Sequence, residues 1–172
     1  MPPKTLIDIE NLDTSTIPYG EKELDALLPQ TGHMRQVHGV YSFDKEKRIA
    51  IGYRDVRDDE FWCEGHFPGF PVFPGVLMVE AAAQMCVFYF RLAIGLEQAP
   101  GRAMLFGGID EVKFRGAVVP GDRIILVTKV TDLKIRRSRY DTQAFVNGKV
   151  VFSGKITGLL GPPAPQIYPD GK

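Results

Sequence analysis

Residues 66–95 read HFPGFPVFPGVLMVEAAAQMCVFYFRLAIG, a loop rich in proline and glycine followed by a long apolar segment. From Pro74 onward this segment would be apolar on almost every side of a helix, and such a helix must be buried on most faces. Pro74 suits a first helical turn and Gly95 a helix end. Glu80 and Gln84 interrupt the apolar run, which favours a buried helix over a membrane span.

The segments on either side of this helix predict a sheet. Glu21 to Leu28 has the spacing of a short amphipathic helix, which Pro29 ends. Residues 44–47 and Asn147-Gly148 have the composition of hairpin turns. Strand-like runs occupy residues 35–43, 48–56, 103–109, 111–117, 123–134, 139–146 and 149–160. One long helix among mostly antiparallel strands predicts an α+β fold, a long antiparallel sheet wrapped around a central helix.

The composition is typical of one globular domain. The 172 residues include 21 Lys plus Arg and 21 Asp plus Glu. The formal net charge is therefore zero, and there is no overall positive charge that would indicate nucleic-acid binding. The two cysteines lie 23 positions apart, which is neither a zinc spacing nor a redox pair and indicates reduced thiols. No apolar signal segment is visible near Met1. We therefore expect a cytoplasmic protein with an N-terminal arm at residues 1–20, one domain at 21–160 and a proline-rich tail at 161–172.

Four residues have the chemistry of an acid–base site. His66 precedes a loop whose prolines and glycines leave the backbone few conformations, so the loop can hold an imidazole in place as a general base. Glu80 is ionisable on an apolar helix and must be paired, neutral or exposed in a pocket. Gln84 lies one turn later, within reach of the Glu80 carboxyl. The helix start at Gly75 offers backbone N–H groups to an anionic oxygen.

Each of these residues also has a plainer explanation. A histidine beside a loop is more often structural, a single glutamate in a helix is more often exposed or in a salt bridge, and a proline–glycine run can be only a tight connection. The joint arrangement across residues 66–84 favours a site, because the plainer explanations do not predict it.

Residues 66–84 resemble the signature of the 3-hydroxyacyl-[acyl-carrier-protein] dehydratases, enzymes of fatty acid synthesis with a hot-dog fold. That signature has a histidine, Phe-Pro-Gly, Pro, Pro-Gly and then an apolar helix with a carboxylate before Ala-x-x-Gln. A second match, residues 108–122, resembles the family's strand and Pro-Gly-Asp turn. The glutamate at position 80 resembles the broad-range dehydratase rather than the branch that also isomerises its product.

The resemblance implies a catalytic pair, His66 and Glu80, and three substrate-binding residues, Gly75, Val76 and Gln84. Neutral His66 would take the C2 proton of the thioester, and protonated Glu80 would give a proton to the departing C3 hydroxyl. The Gly75 N–H would hold the C1 carbonyl. The resemblance implies no metal or organic cofactor, because the thioester already acidifies C2.

The resemblance also implies partners. It predicts a homodimer, with a trimer of dimers as the larger assembly left open, in which His66 of one chain faces Glu80 of the other. The substrate would be linked to acyl carrier protein, which is typically acidic, so a basic docking patch is expected. Residues 134–139 are one candidate and Lys113 with Arg115 another, although residues 134–139 can also be a solvated turn. No nucleic-acid or membrane partner is expected.

One segment departs from the family pattern. Residues 29–38, PQTGHMRQVH, stand where the family usually has Pro-His-Arg-x-Pro-Phe and an aliphatic run. The change leaves acyl chain length open, and His33 and His38 are either extra site residues or surface and strand-face histidines. Leu105 or Phe106 either gates the acyl tunnel or belongs to the core. The alternative functions are a hot-dog thioesterase, which would release free acid and thiol, and a non-catalytic acyl-binding subunit.

Overall fold

A computed structural model describes residues 4–95 and 98–163 of the chain. Its helices are α1 (Glu21–Leu27), a short 3-10 helix (Gly32–Met34) and α2 (Gly75–Ile94). Its strands are β1 (Gly39–Asp44), β2 (Ile49–Asp55), β3 (Arg102–Phe114), β4 (Arg123–Leu133), β5 (Arg137–Val146) and β6 (Lys149–Pro163). The strands form one antiparallel sheet in the order β1-β2-β4-β5-β6-β3. The predicted antiparallel sheet around one central helix is confirmed.

The long helix lies in the core, as its composition predicts. Pro74 is its N-cap, and Gly95 ends it at a φ of 90°, a backbone conformation that glycine adopts easily. Ten of its side chains are buried, and it contacts β2, β4, β5 and β6. The helix is long and apolar enough to cross a membrane by length and composition, but 61% of its most apolar stretch is buried inside the fold, as in the core helix of a globular protein.

Three predicted strand boundaries are wrong. The runs at 103–109 and 111–117 form the single strand β3, because irregularities in its pairing with β6 absorb the break around Glu111, which has a φ of 52°. β1 begins at Gly39, after the 3-10 helix. β6 continues to Pro163, so three residues of the predicted tail belong to the sheet, and 164–172 lie outside the described residues.

The N-terminal arm packs on the sheet face opposite α2. Along β2 the neighbours Ala50 and Ile51 belong to different apolar clusters, because successive side chains of a strand point to opposite faces. The cluster of Ile51 is covered by arm residues that include Leu6. The Leu6 N–H donates to Gln143 Oε1 at 2.8 Å, and Gln143 Nε2 donates to the Lys4 carbonyl at 2.8 Å. Near the end of the arm, Tyr19 instead packs edge-on against Phe88 of α2, with ring centroids 5.1 Å apart.

Candidate active site

The loop before α2 fixes His66 at two points. Its backbone N–H donates to the Trp62 carbonyl at 2.8 Å. Its Nδ1 lies 2.7 Å from the Val72 carbonyl oxygen, which can only accept, so Nδ1 carries a proton. In the neutral ring the lone pair is then on Nε2, the form that a general base requires. The Phe67 ring stacks against the imidazole with centroids 4.3 Å apart. His66 is therefore held in one tautomer.

Gln84 orients Glu80. The Gln84 side chain is fully buried, and its Oε1 accepts the Gln36 N–H at 2.8 Å. Its Nε2 donates to the Met34 carbonyl at 2.6 Å and to Glu80 Oε1 at 2.8 Å. Because a backbone N–H only donates and a carbonyl only accepts, these two groups fix which way the amide points. Glu80 Oε1 is therefore an acceptor, and Oε2 is the oxygen left to carry a proton.

The contact between Gln84 and Glu80 follows from their spacing along the helix, but the contacts to residues 34 and 36 were not predicted. They come from backbone groups, and a backbone contact leaves no side-chain signature in a sequence. The unusual composition of residues 29–38 marked this segment as different, without indicating what it touches. In the structure the segment is what holds Gln84 in place.

Glu80 opens into a cavity of about 70 Å³ between α2 and the sheet. Its other lining residues are Gln30, Ala83, Cys86, Val87, Met104, Leu105, Phe106, Ile156, Thr157 and Gly158. Leu105 and Phe106 are both exposed large apolar side chains, so neither is plain core. His66 does not line this cavity.

The start of α2 lies close to β3. A methyl group at position 75 would lie 3.0 Å from Phe114 Cε1, so glycine is what allows this close approach. The first N–H groups of a helix have no acceptor within the helix and carry a partial positive charge. Val76, the next residue, is exposed. The helix start can therefore receive an oxygen atom that gains negative charge.

His33 and His38 line a separate open cleft of about 420 Å³, together with Arg54, Arg57 and Glu60 among others. His38 Nδ1 accepts the Asp55 N–H at 3.1 Å, so the neutral ring has its proton on Nε2. Burial and the Arg54 guanidinium lower the pKa of His38. This cleft contains neither His66 nor Glu80. Within residues 4–95 and 98–163, no three His, Cys, Asp or Glu side chains are grouped to hold a metal ion.

Comparisons with known proteins agree with the motif. Residues 28–155 match a family described as the FabA-like domain. The chain is 37% identical over 144 residues to the 3-hydroxyacyl-[acyl-carrier-protein] dehydratase FabZ of Lawsonia intracellularis, covering 84% of this chain and 94% of that relative. It is 40% identical over 143 residues to FabZ of Escherichia coli O9:H4, covering 81% and 91%. The dehydratase heterocomplex ApeI:P from Xenorhabdus doucetiae has a similar fold, with a TM-score of 0.70 at 15% identity, covering 87% and 97%.

The lowered pKa of His38 predicts a pH dependence of stability. Below the ordinary pKa of 6.5 the unfolded chain binds a proton at this ring that the folded protein does not bind, so the free energy of unfolding falls as pH falls. His38→Asn keeps an acceptor for the Asp55 N–H but does not titrate. We expect wild type to lose more stability than this variant between about pH 7.5 and about pH 5, in urea unfolding at one protein concentration. Parallel pH profiles would contradict this role of His38.

Proposed function

Because the chain belongs to the FabA-like family, we propose that it dehydrates a 3-hydroxyacyl thioester on acyl carrier protein, giving the trans-2-enoyl thioester in fatty acid biosynthesis. The relatives that carry this activity in their names match the chain over most of their length. The observation that carries the proposal is the fixed tautomer of His66, whose Nδ1–H is held by the Val72 carbonyl. A base whose lone pair already points outward is what removal of a C2 proton requires.

His66 and Glu80 each carry out one proton transfer of the reaction. His66 Nε2 takes the C2 proton, and the electron pair of that C–H bond forms the C2=C3 double bond. The C3–O bond breaks as Glu80 Oε2 gives its proton to the hydroxyl, which leaves as water. The Gly75 N–H holds the C1 carbonyl oxygen, which gains negative charge as C2 is deprotonated. Water then returns His66 and Glu80 to their starting protonation states.

A homodimer completes this site. The edge strand β3 pairs only with β6 among the described residues, and it exposes Leu105, Phe106 and Phe114. A long apolar edge strand is prone to pair with another chain. We infer that a second copy covers this edge and brings its own His66 to Glu80, which accounts for the absence of His66 from the lining of the Glu80 cavity. A hexamer made of three such dimers is a further prediction.

Individual residues support the enzyme branch, the substrate contacts and the cellular location. Glu80 in place of an aspartate favours the broad-range dehydratase branch, which does not isomerise its product. Gly75, Val76 and Gln84 are the proposed substrate-binding residues, Gln84 through the oriented Glu80 carboxyl. The described cysteines are free thiols, in accord with a cytoplasmic enzyme. The thioesterase alternative is not favoured, because the relatives with high identity are named as dehydratases.

His66→Ala and Glu80→Gln test the acid–base pair. Each variant should lower the hydration rate of crotonyl and longer enoyl thioesters by about 10²–10⁴-fold, because each removes one proton transfer. The amide oxygen introduced by Glu80→Gln can still accept the hydrogen bond from Gln84, so the helix should fold unchanged. The loss of enoyl absorbance gives the rate, and circular dichroism checks the fold. Release of free thiol by wild type, with no hydration, would show a thioesterase and refute the dehydratase proposal.

Reversing charges near the turn between β4 and β5 tests whether acyl carrier protein docks there. Lys134, Arg136, Arg137 and Arg139 are all exposed in or beside this turn, and the Asp132 carboxylate lies 3.8 Å from Lys134 and 4.0 Å from Arg137. Such long, exposed contacts neutralise little of the positive charge. Arg136→Glu with Arg137→Glu should raise KM for the carrier-linked substrate, because acyl carrier protein is acidic. Activity on a small thioester should not change, and an equal loss on both substrates would contradict the docking role.

A further inference from the structure

We propose that the buried ion pair between Arg54 and Glu60 is a positioning device for His66. This inference rests on the role given to His66 in the proposed function. Neither Arg54 nor Glu60 lines the Glu80 cavity, and neither belongs to the motif of residues 66–84. Glu60 nevertheless contacts Trp62, which carries one hydrogen bond of His66. Arg54 contacts Phe73, the neighbour of Val72, which carries the other. The pair links the end of β2 to the loop before α2.

The ion pair is buried, and Arg54 Nε has no hydrogen-bond partner among the described residues. The Arg54 side chain is 2% exposed and that of Glu60 is 9% exposed, and Arg54 Nη2 donates to Glu60 Oε2. Glu60 Oε1 also accepts the Arg57 N–H at 3.0 Å. Burial lowers the pKa of Arg54, and the Glu60 carboxylate opposes that shift. A buried charge that loses its partner is strongly destabilising, so each member of the pair holds the other in place.

The first link to His66 passes through Trp62. Glu60 Oε2 accepts the Trp62 indole N–H at 3.0 Å, and Trp62 is buried. The carbonyl of the same residue accepts the His66 N–H at 2.8 Å and the Gly65 N–H at 3.2 Å. The Glu60 carboxylate therefore fixes the residue on which the backbone of His66 is anchored.

The second link passes through Phe73. The Arg54 guanidinium lies over the Phe73 ring, 4.9 Å from its centroid, and Trp62 packs edge-on against the same ring at 5.5 Å. Phe73 follows Val72, whose carbonyl holds His66 Nδ1. The backbone of Phe73 is itself fixed, because its N–H donates to the Val118 carbonyl at 2.7 Å. The two carbonyls that hold His66 therefore belong to Trp62 and to the neighbour of Phe73, and both aromatic side chains pack against the ion pair.

Glu60→Gln is the direct test, because it keeps the shape and an acceptor for Trp62 but removes the charge that holds Arg54. The kcat for enoyl thioester hydration should fall about 10- to 10²-fold while KM changes little, since a displaced base affects the chemical step. Nitrogen NMR at about pH 8, where histidine is neutral, should show one His66 tautomer in wild type and a mixture in the variant. The His66→Ala spectrum assigns that signal among the three histidines.

Asp55→Asn is the matched control, because Asp55 follows Arg54 on β2 and its carboxylate forms an exposed ion pair, 2.5 Å long, with Arg123 of β4. It should change neither kcat nor the His66 tautomer. Arg54→Lys, which keeps the charge but not the flat contact with Phe73, should give a smaller loss and carries the test if Glu60→Gln does not fold. A folded Glu60→Gln with wild-type kcat and one tautomer would overturn the proposal. Failure of wild type to hydrate enoyl thioesters would refute only the function, because the tautomer is read without substrate.

Discussion

The helix α2 has to be buried on most faces and yet has to present one carboxyl group to a substrate. The sheet covers most of the helix, but Glu80 and Gln84 bring polar atoms into that covered surface. Leaving a buried polar group without a partner costs about 1–3 kcal/mol. The backbone of residues 34–36 meets this requirement by bonding both ends of the Gln84 amide. The position of Glu80, and of the segment before β1, follows from that arrangement.

The two proposed catalytic groups are held in different ways, and each way suits its chemistry. His66 is on a loop, so backbone carbonyls hold it, and a carbonyl that accepts from Nδ1 leaves Nε2 free to act as a base. Glu80 is on a rigid helix, so the hydrogen bond from the Gln84 amide suffices to orient its carboxyl group. Because the loop runs directly into the helix, residues 66–84 set the base, the helix start and the acid within one continuous segment. In the proposed dimer, the base and the acid that meet in one site come from two copies of this segment.

Local patterns predicted the fold well, and contacts between distant segments account for what they missed. The turn at Asn147-Gly148 has positive φ at both residues, as its composition indicates, and the Gln84–Glu80 hydrogen bond follows from one helical turn of spacing. The division of β3 into two strands was wrong, because an irregularity at Glu111 resembles a strand break in sequence. The contact between Arg54 and Glu60 joins a strand to a loop. The spacing of apolar residues in the sequence carries no information about such a contact.

In the proposed dimer, the acid and the base of one site come from different chains. The most direct test mixes the inactive His66→Ala and Glu80→Gln proteins and allows their subunits to exchange, with mass-labelled chains and native mass spectrometry to confirm mixed dimers. Each mixed dimer then has one site with both His66 and Glu80, so random exchange should restore about a quarter of wild-type activity. Mixed dimers that form but stay inactive would contradict a shared site.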